Sequence, residues 1–149
     1  MNGALAMLLW ASGTPVAEDV PQSACAREVG ASATALRLAE LPQEIRDDLV
    51  RRREVFGDTV ADRDSPLLQT DAPTEAERGH ATVRFAQAMR VGNSWFVQLE
   101  VSLMAGVVTV SYAHQTDGRF RLSPFHHFRG PACASIRAAL AGVTTPGGF

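Results

Sequence analysis

The chain reads as an α+β domain: a four-stranded antiparallel β-meander packed on one face by N-terminal helices and a C-terminal helix. Two observations predict this. Between 82 and 128, four stretches alternate apolar and polar residues and are separated by turn residues. On either side of them, apolar residues recur at steps of three and four. The length of 149 residues fits one domain, and a domain of this size can bury a sizeable core without a metal. With 46% hydrophobic and 20% charged residues the composition is that of a globular protein.

The N-terminal elements come first. Leu36, Leu38, Leu41, Ile45, Leu49 and Phe56 follow a helical spacing. Pro42 suits the first position of a helix and not its interior. The spacing therefore predicts one short helix over 33–40 and a second over 42–54. Glu44 near the start and Arg51, Arg52 and Arg53 near the end of the second suit the helix dipole, and Gly57 would stop it. Residues 57–80, rich in Asp, Glu, Pro and Thr, read as a long, loosely held connector.

The meander strands are expected over 82–91, 95–103, 107–115 and 119–128. Register follows from keeping apolar residues together, because a slip of one residue turns a strand over. A three-residue Gly92-Asn93-Ser94 loop sets Val91 against Trp95, Met89 against Val97, Phe85 against Val101 and Val83 against Leu103. A two-residue loop would set Arg90 against Trp95, so the longer loop is preferred. A two-residue Ala105-Gly106 turn pairs Leu103 with Val108, Val101 with Val110 and Leu99 with Tyr112. A three-residue loop ending in Gly118 pairs Tyr112 with Leu122, with glycine at the left-handed position. One face then carries Val83, Phe85, Met89, Val91, Trp95, Val97, Leu99, Val101, Val108, Val110, Tyr112, Phe120 and Leu122. The other is polar or small and faces water, as one side of an antiparallel sheet commonly does. Pro131 opens the last helix and Gly142 closes it, with Ile136 and Leu140 as its apolar stripe. Residues 144–149 form a frayed tail.

Two features point outside the cytoplasm. Ala4 to Ala11 is an apolar run followed by small residues, so residues 1–17 read as a signal peptide or a disordered leader, although the basic start of a signal peptide is missing. The domain proper is then 18–149. Cys25 and Cys133, the two cysteines, permit one disulfide closing a loop of about a hundred residues. Two separate buried thiols are the alternative. Gln22-Ser23-Ala24-Cys25 is a poor lipidation site. No run of about eighteen apolar residues exists, so no membrane span is expected.

All fourteen basic residues are arginine, which fits a codon bias and is required by no function. The net charge of −2 gives no reason to expect nucleic acid, and Arg51 to Arg53 read as a solvated helix end. The standard nucleotide-binding, hydrolase and zinc motifs are absent, and no cofactor is expected. Asp58, Asp62, Asp64 and Asp71 do not follow the spacing of a calcium loop. Two candidate sites remain. On the polar sheet face Arg84, Arg90 and Arg121, with Gln98 and Glu100, would clamp an anionic group over the small residues Ala86, Ala88, Ser111 and Ala113. The competing reading of that face is cross-strand ion pairing, with Glu100 diagonal to Arg84. Among the four histidines, His80, His114, His126 and His127, the adjacent pair would serve a metal or proton-transfer site, or else pack against Phe125 and Phe128. His126 is expected beside Val108 and His114 beside Phe120. The expected function is an exported, periplasmic or secreted, non-enzymatic binding module, which meets a protein or small anionic ligand through its sheet face or a strand edge. The alternative is a small hydrolase or metal-dependent enzyme using His126, His127 and a connector carboxylate.

Overall fold

A computed structural model of the chain describes residues 20–52, 59–104 and 107–143. The leader over 1–17, Arg53 to Asp58, the Ala105-Gly106 turn and the tail over 144–149 lie outside the described residues. In order the elements are helix α1 (Val20–Glu28), strand β1 (Ala33–Ala35), a 3-10 turn (Leu38–Glu40), helix α2 (Gln43–Arg51), strands β2 (Val83–Val91), β3 (Ser94–Val101), β4 (Val107–His114) and β5 (Phe120–Gly130), and helix α3 (Ala132–Leu140). The sheet is antiparallel, five-stranded and ordered β1-β2-β3-β4-β5. The meander is therefore as expected, with one strand added at its edge.

That added strand replaces the helix expected over 33–40. Ala33, Thr34 and Ala35 pair with Arg90, Met89 and Ala88. The helical spacing of Leu36, Leu38 and Leu41 survives as a single 3-10 turn. Pro42 disfavours a helical residue before it, and Leu41 is extended at φ −72°, ψ 151°. The Glu40 carboxylate accepts the N–H groups of Leu36 and Arg37 at 2.6 and 3.2 Å. Pro42 then precedes α2, its carbonyl accepting from Ile45 and Arg46 at 3.0 and 3.2 Å, and Ile45 and Leu49 are the buried stripe of that helix. An α-helix also occupies Val20–Glu28, a segment to which the sequence assigned no element.

A β-bulge decides the register of the β2–β3 hairpin. The turn has two residues, Gly92 and Asn93, between the paired Val91 and Ser94. Gly92 has φ +57°, the positive value that a type II′ hairpin needs at its first central residue. Arg90 is therefore opposite Trp95, the pairing that apolar matching had rejected. Ala86 is then left unpaired, between Phe85 opposite Leu99 and Gln87 opposite Gln98. The extra residue resets the alternation. Val83 and Phe85 reach the same face as Ala88, while Met89 and Val91 move to the other.

The β3–β4 pairing is shifted by four residues from the expected one, with Leu99, Val97 and Trp95 opposite Val108, Val110 and Tyr112. An even shift keeps the faces. The chain leaves β3 earlier than expected: Leu103 turns out at φ +61° and is 61% exposed. The β4–β5 hairpin follows its expected register at the turn, with Tyr112 opposite Leu122 and His114 opposite Phe120. Beyond Leu122 the register shifts, so that His127 lies opposite Val110 and Arg129, not His126, lies opposite Val108. Pro124 lies in this shifted stretch, and a proline has no N–H for a ladder.

Both faces of the sheet are covered. On one, Ile45 and Leu49 of α2 join Val83, Phe85, Val97, Leu99, Val110 and Tyr112 in a core cluster. On the other, Cys25 of α1 and Ile136 and Ala139 of α3 enclose Met89 and Phe96. The helices thus divide between the two faces instead of sharing the apolar one. The connector is tied down as well. Ala61 bridges Arg84 and Leu67 bridges Ala81, and the Ser102 hydroxyl donates to the Leu68 carbonyl at 2.8 Å.

Candidate functional site

The polar sheet face is closed. Gln87, Gln98, Thr109 and Ser111 are all buried. The Gln87 amide donates to the Gln98 carbonyl oxygen at 2.6 Å, and the Gln98 amide donates to the Thr109 hydroxyl at 3.3 Å. These three residues face one another across β2, β3 and β4. Their side chains satisfy one another where water is excluded, as buried polar groups must.

The five residues expected to clamp an anion are not brought together. Arg84 lies directly opposite Glu100 instead of diagonal to it, and bonds it at 2.7 Å. A second Arg84 nitrogen donates to the Ser65 carbonyl at 2.9 Å. Gln98 belongs to the buried ladder. The bulge puts Arg90 on the opposite face, across from Trp95, where its Nε donates to the Gly92 carbonyl at 3.3 Å. Arg121 alone lines a groove, and that groove lies elsewhere.

The histidines are likewise dispersed. His114 is exposed and its ring is tilted against Phe120, with centroids 4.9 Å apart. His80 follows a short turn in the connector. His126 and His127 belong to β5, and their side chains lie outside the described residues. Of the connector carboxylates, Asp62 follows Ala61, which bridges Arg84 of β2. Asp62 accepts the N–H groups of Leu38 and Arg63 at 3.2 and 2.9 Å, and Asp64 pairs with Arg37. Three strand spacings, about 14 Å, separate β2 from β5. Among the described residues, no group of three or more His, Cys, Asp or Glu side chains could hold a metal.

An open groove of about 570 Å³ runs between α2 and the start of β5. One wall is α2, supplying Glu44, Asp47, Asp48, Arg51 and Arg52; the other is Arg119, Phe120, Arg121 and Leu122. The alternation of arginine with apolar residues from 119 to 122 is a strand pattern. It leaves Phe120 and Leu122 packed against the core cluster.

Asp48 organises the groove. Its Oδ2 accepts from the Tyr112 hydroxyl at 3.0 Å and from Arg52 Nε at 2.6 Å, and its Oδ1 accepts from Arg51 at 3.4 Å. Tyr112 is fully buried. Burial, and then the charge and hydrogen bond of Asp48, raises its phenol above the usual range, so it stays a donor. In the β4–β5 turn, Asp117 accepts from the Arg119 backbone N–H at 3.0 Å and from the Arg121 guanidinium at 3.3 Å. The first of these bonds, and then the second, holds the Asp117 carboxyl below its usual range. The Arg119 side chain is exposed and makes no hydrogen bond or ion pair among the described residues.

Apart from Arg121, sequence reasoning did not assemble this site. Arg51 and Arg52 were read as a solvated helix end, although Glu44, Asp47, Asp48 and Arg51 lie at helical spacing on one wall. Tyr112 was placed in the core, and its hydroxyl partner sits 64 residues away.

On the opposite side of the sheet, Cys25 and Cys133 lie at disulfide distance with their Cα atoms 5.5 Å apart, joining α1 to α3. Glu28 accepts from Arg137 next to this pair. No helix among the described residues is long and apolar enough to cross a membrane. The chain matches no family model, no curated protein and no solved structure.

Proposed function

We propose that this chain is a non-enzymatic binding module working outside the cytoplasm, and that it captures an anionic group of a ligand or protein partner in the groove between α2 and β5. The observation that supports the reading is Arg119, which lines the groove, is exposed and makes no hydrogen bond or ion pair through its side chain among the described residues, Asp117 being the nearest charge that acts on it. Beside it, Phe120 and Leu122 offer apolar surface. Arginine holds a carboxylate or phosphate with two parallel hydrogen bonds, so an exposed arginine on a groove with apolar lining suits a carboxylate or phosphate that carries an apolar neighbour. The exported location rests on the Cys25–Cys133 pair, because structural disulfides persist in oxidising compartments. Thiol alkylation of freshly isolated protein should label both cysteines only after reduction. Labelling without reductant would remove the support for export.

Binding is tested by following the Arg119 and Arg121 side-chain Nε–H resonances of the full chain while adding inorganic phosphate or the hexapeptide Glu-Glu-Leu-Phe-Glu-Glu. Saturable shifts are expected for at least one of the two. Replacing both Arg119 and Arg121 with Ala should weaken that binding about ten-fold or more. Resonances that stay in place up to millimolar additions of both would sink the reading.

A further inference from the structure

The α2 wall of the groove changes sign along its length. Glu44 and Asp47 stand in its first turns and are exposed, while Arg51 and Arg52 close its last turn. At a rise of about 1.5 Å per residue, Glu44 and Arg51 are about 10 Å apart along the helix axis. The carboxylate between these ends is committed, because Asp48 already accepts from Tyr112, Arg52 and Arg51. Glu44 and Asp47 make no hydrogen bond or ion pair among the described residues. The facing wall adds Arg119 and Arg121, the second already paired with Asp117, around Phe120 and Leu122.

A uniform polyanion fits this charge pattern poorly. The part of it that satisfies Arg119, Arg121 and Arg51 must continue past Glu44 and Asp47, where like charges repel. We infer that the occupant of the groove is a mixed-charge segment of an extended polypeptide. Its carboxylates face the arginines, its basic side chains face Glu44 and Asp47, and apolar residues between them cover Phe120 and Leu122. Three residues of extended chain span about 10 Å, which matches the separation of the two charge zones on α2. The inference rests on the proposed binding function and adds the chemistry of the partner.

The test uses three hexapeptides and the full chain: Lys-Lys-Leu-Phe-Glu-Glu, the all-acidic Glu-Glu-Leu-Phe-Glu-Glu and the all-basic Lys-Lys-Leu-Phe-Lys-Lys, titrated by calorimetry at low and physiological salt. The mixed peptide should bind about ten-fold more tightly than either of the others, with the difference shrinking as salt rises. In the E44R/D47R double variant the order should reverse in favour of the all-acidic peptide. Both positions are exposed on α2, so the fold should tolerate the change, and an unaltered melting temperature checks this. If the all-acidic peptide binds the unmodified chain as tightly as the mixed one and this binding depends on Arg119 and Arg121, the mixed-charge inference falls while the anion-binding groove stands. If no peptide binds and inorganic phosphate also leaves the arginine resonances unmoved, both fall together.

Discussion

The two faces of the sheet are held by different physics. The face under α2 is an apolar cluster in which Phe85, Leu99, Val110, Ile45 and Leu49 are almost completely removed from water. The buried Tyr112 hydroxyl belongs to this face and donates to Asp48, which lines the groove. The face under α1 and α3 carries a smaller apolar cluster around Met89, Phe96 and Ile136, together with an amide ladder and a cysteine pair. Apolar burial is non-directional and stabilises in proportion to area. A buried hydrogen bond contributes a modest net amount but is costly to leave unmade. The first face should therefore supply most of the stability, and the second should fix strand register and hold the helices in place.

The largest expected effect tests the first half of that statement. Phe85→Ala removes a fully buried ring between Val83 and Leu99 on the α2 face. Such truncations cost about 3–5 kcal/mol, a large part of the stability of a domain this size. Denaturant unfolding followed by tryptophan fluorescence reads the change through Trp95, opposite Tyr112 in the same cluster. A loss below about 1 kcal/mol would mean that this face is loosely packed.

The next effect concerns the cysteine pair. Replacing Cys25 and Cys133 together by Ser opens a loop with a sequence separation of 108. The chain-entropy account assigns about 4–5 kcal/mol to a loop of that length, and measured losses run at about 2–5 kcal/mol. Calorimetric melting of the variant beside the oxidised parent measures it. The loss should fall on the α1 and α3 side, where Cys25 is itself part of the apolar cluster. A melting temperature unchanged by the double substitution would show that Glu28, Arg137 and the apolar contacts suffice to hold α1.

The contrast between the faces also explains what the sequence revealed. Period-two alternation located the meander strands, because each needed an apolar side toward α2. The turn at Gly118 and the pairing of Tyr112 with Leu122 followed from glycine's left-handed conformation. The second face was misread as wet. Gln87, Gln98, Thr109 and Ser111 are polar side chains, and nothing in their identity shows that they are interior. A bulge adds no turn residue to the sequence, so the unpaired Ala86 was invisible, and with it the placement of Arg90 and Met89. The five-residue clamp failed for the same reason. It assumed an open sheet face and strict alternation, and the structure has neither there. The groove lies between α2 and β5, elements about seventy residues apart in the chain, and no local pattern announces such a meeting.

The smallest effect separates specification from stabilisation on the second face. Gln98→Leu removes the middle of the ladder and leaves the Gln87 amide and the Thr109 hydroxyl without that partner in a buried setting. A lost buried partner of this kind costs about 1–3 kcal/mol, less than the loss expected at Phe85. The triple change Gln87→Leu, Gln98→Leu and Thr109→Val removes the stranded groups as well. It should recover most of the loss, because replacing all partners by apolar groups of similar shape is close to neutral. Hydrogen exchange then shows what the amides do. With an apolar ladder, β2 and β3 can slide by two residues without stranding a polar side chain. Amide protection in β2 and β3 should therefore drop in the triple variant even where its global stability matches the parent. Full protection in the triple variant would mean that the Ala86 bulge and the Gly92-Asn93 turn set the register unaided. A triple variant less stable than Gln98→Leu alone would mean that the amides stabilise this face as well as specify it.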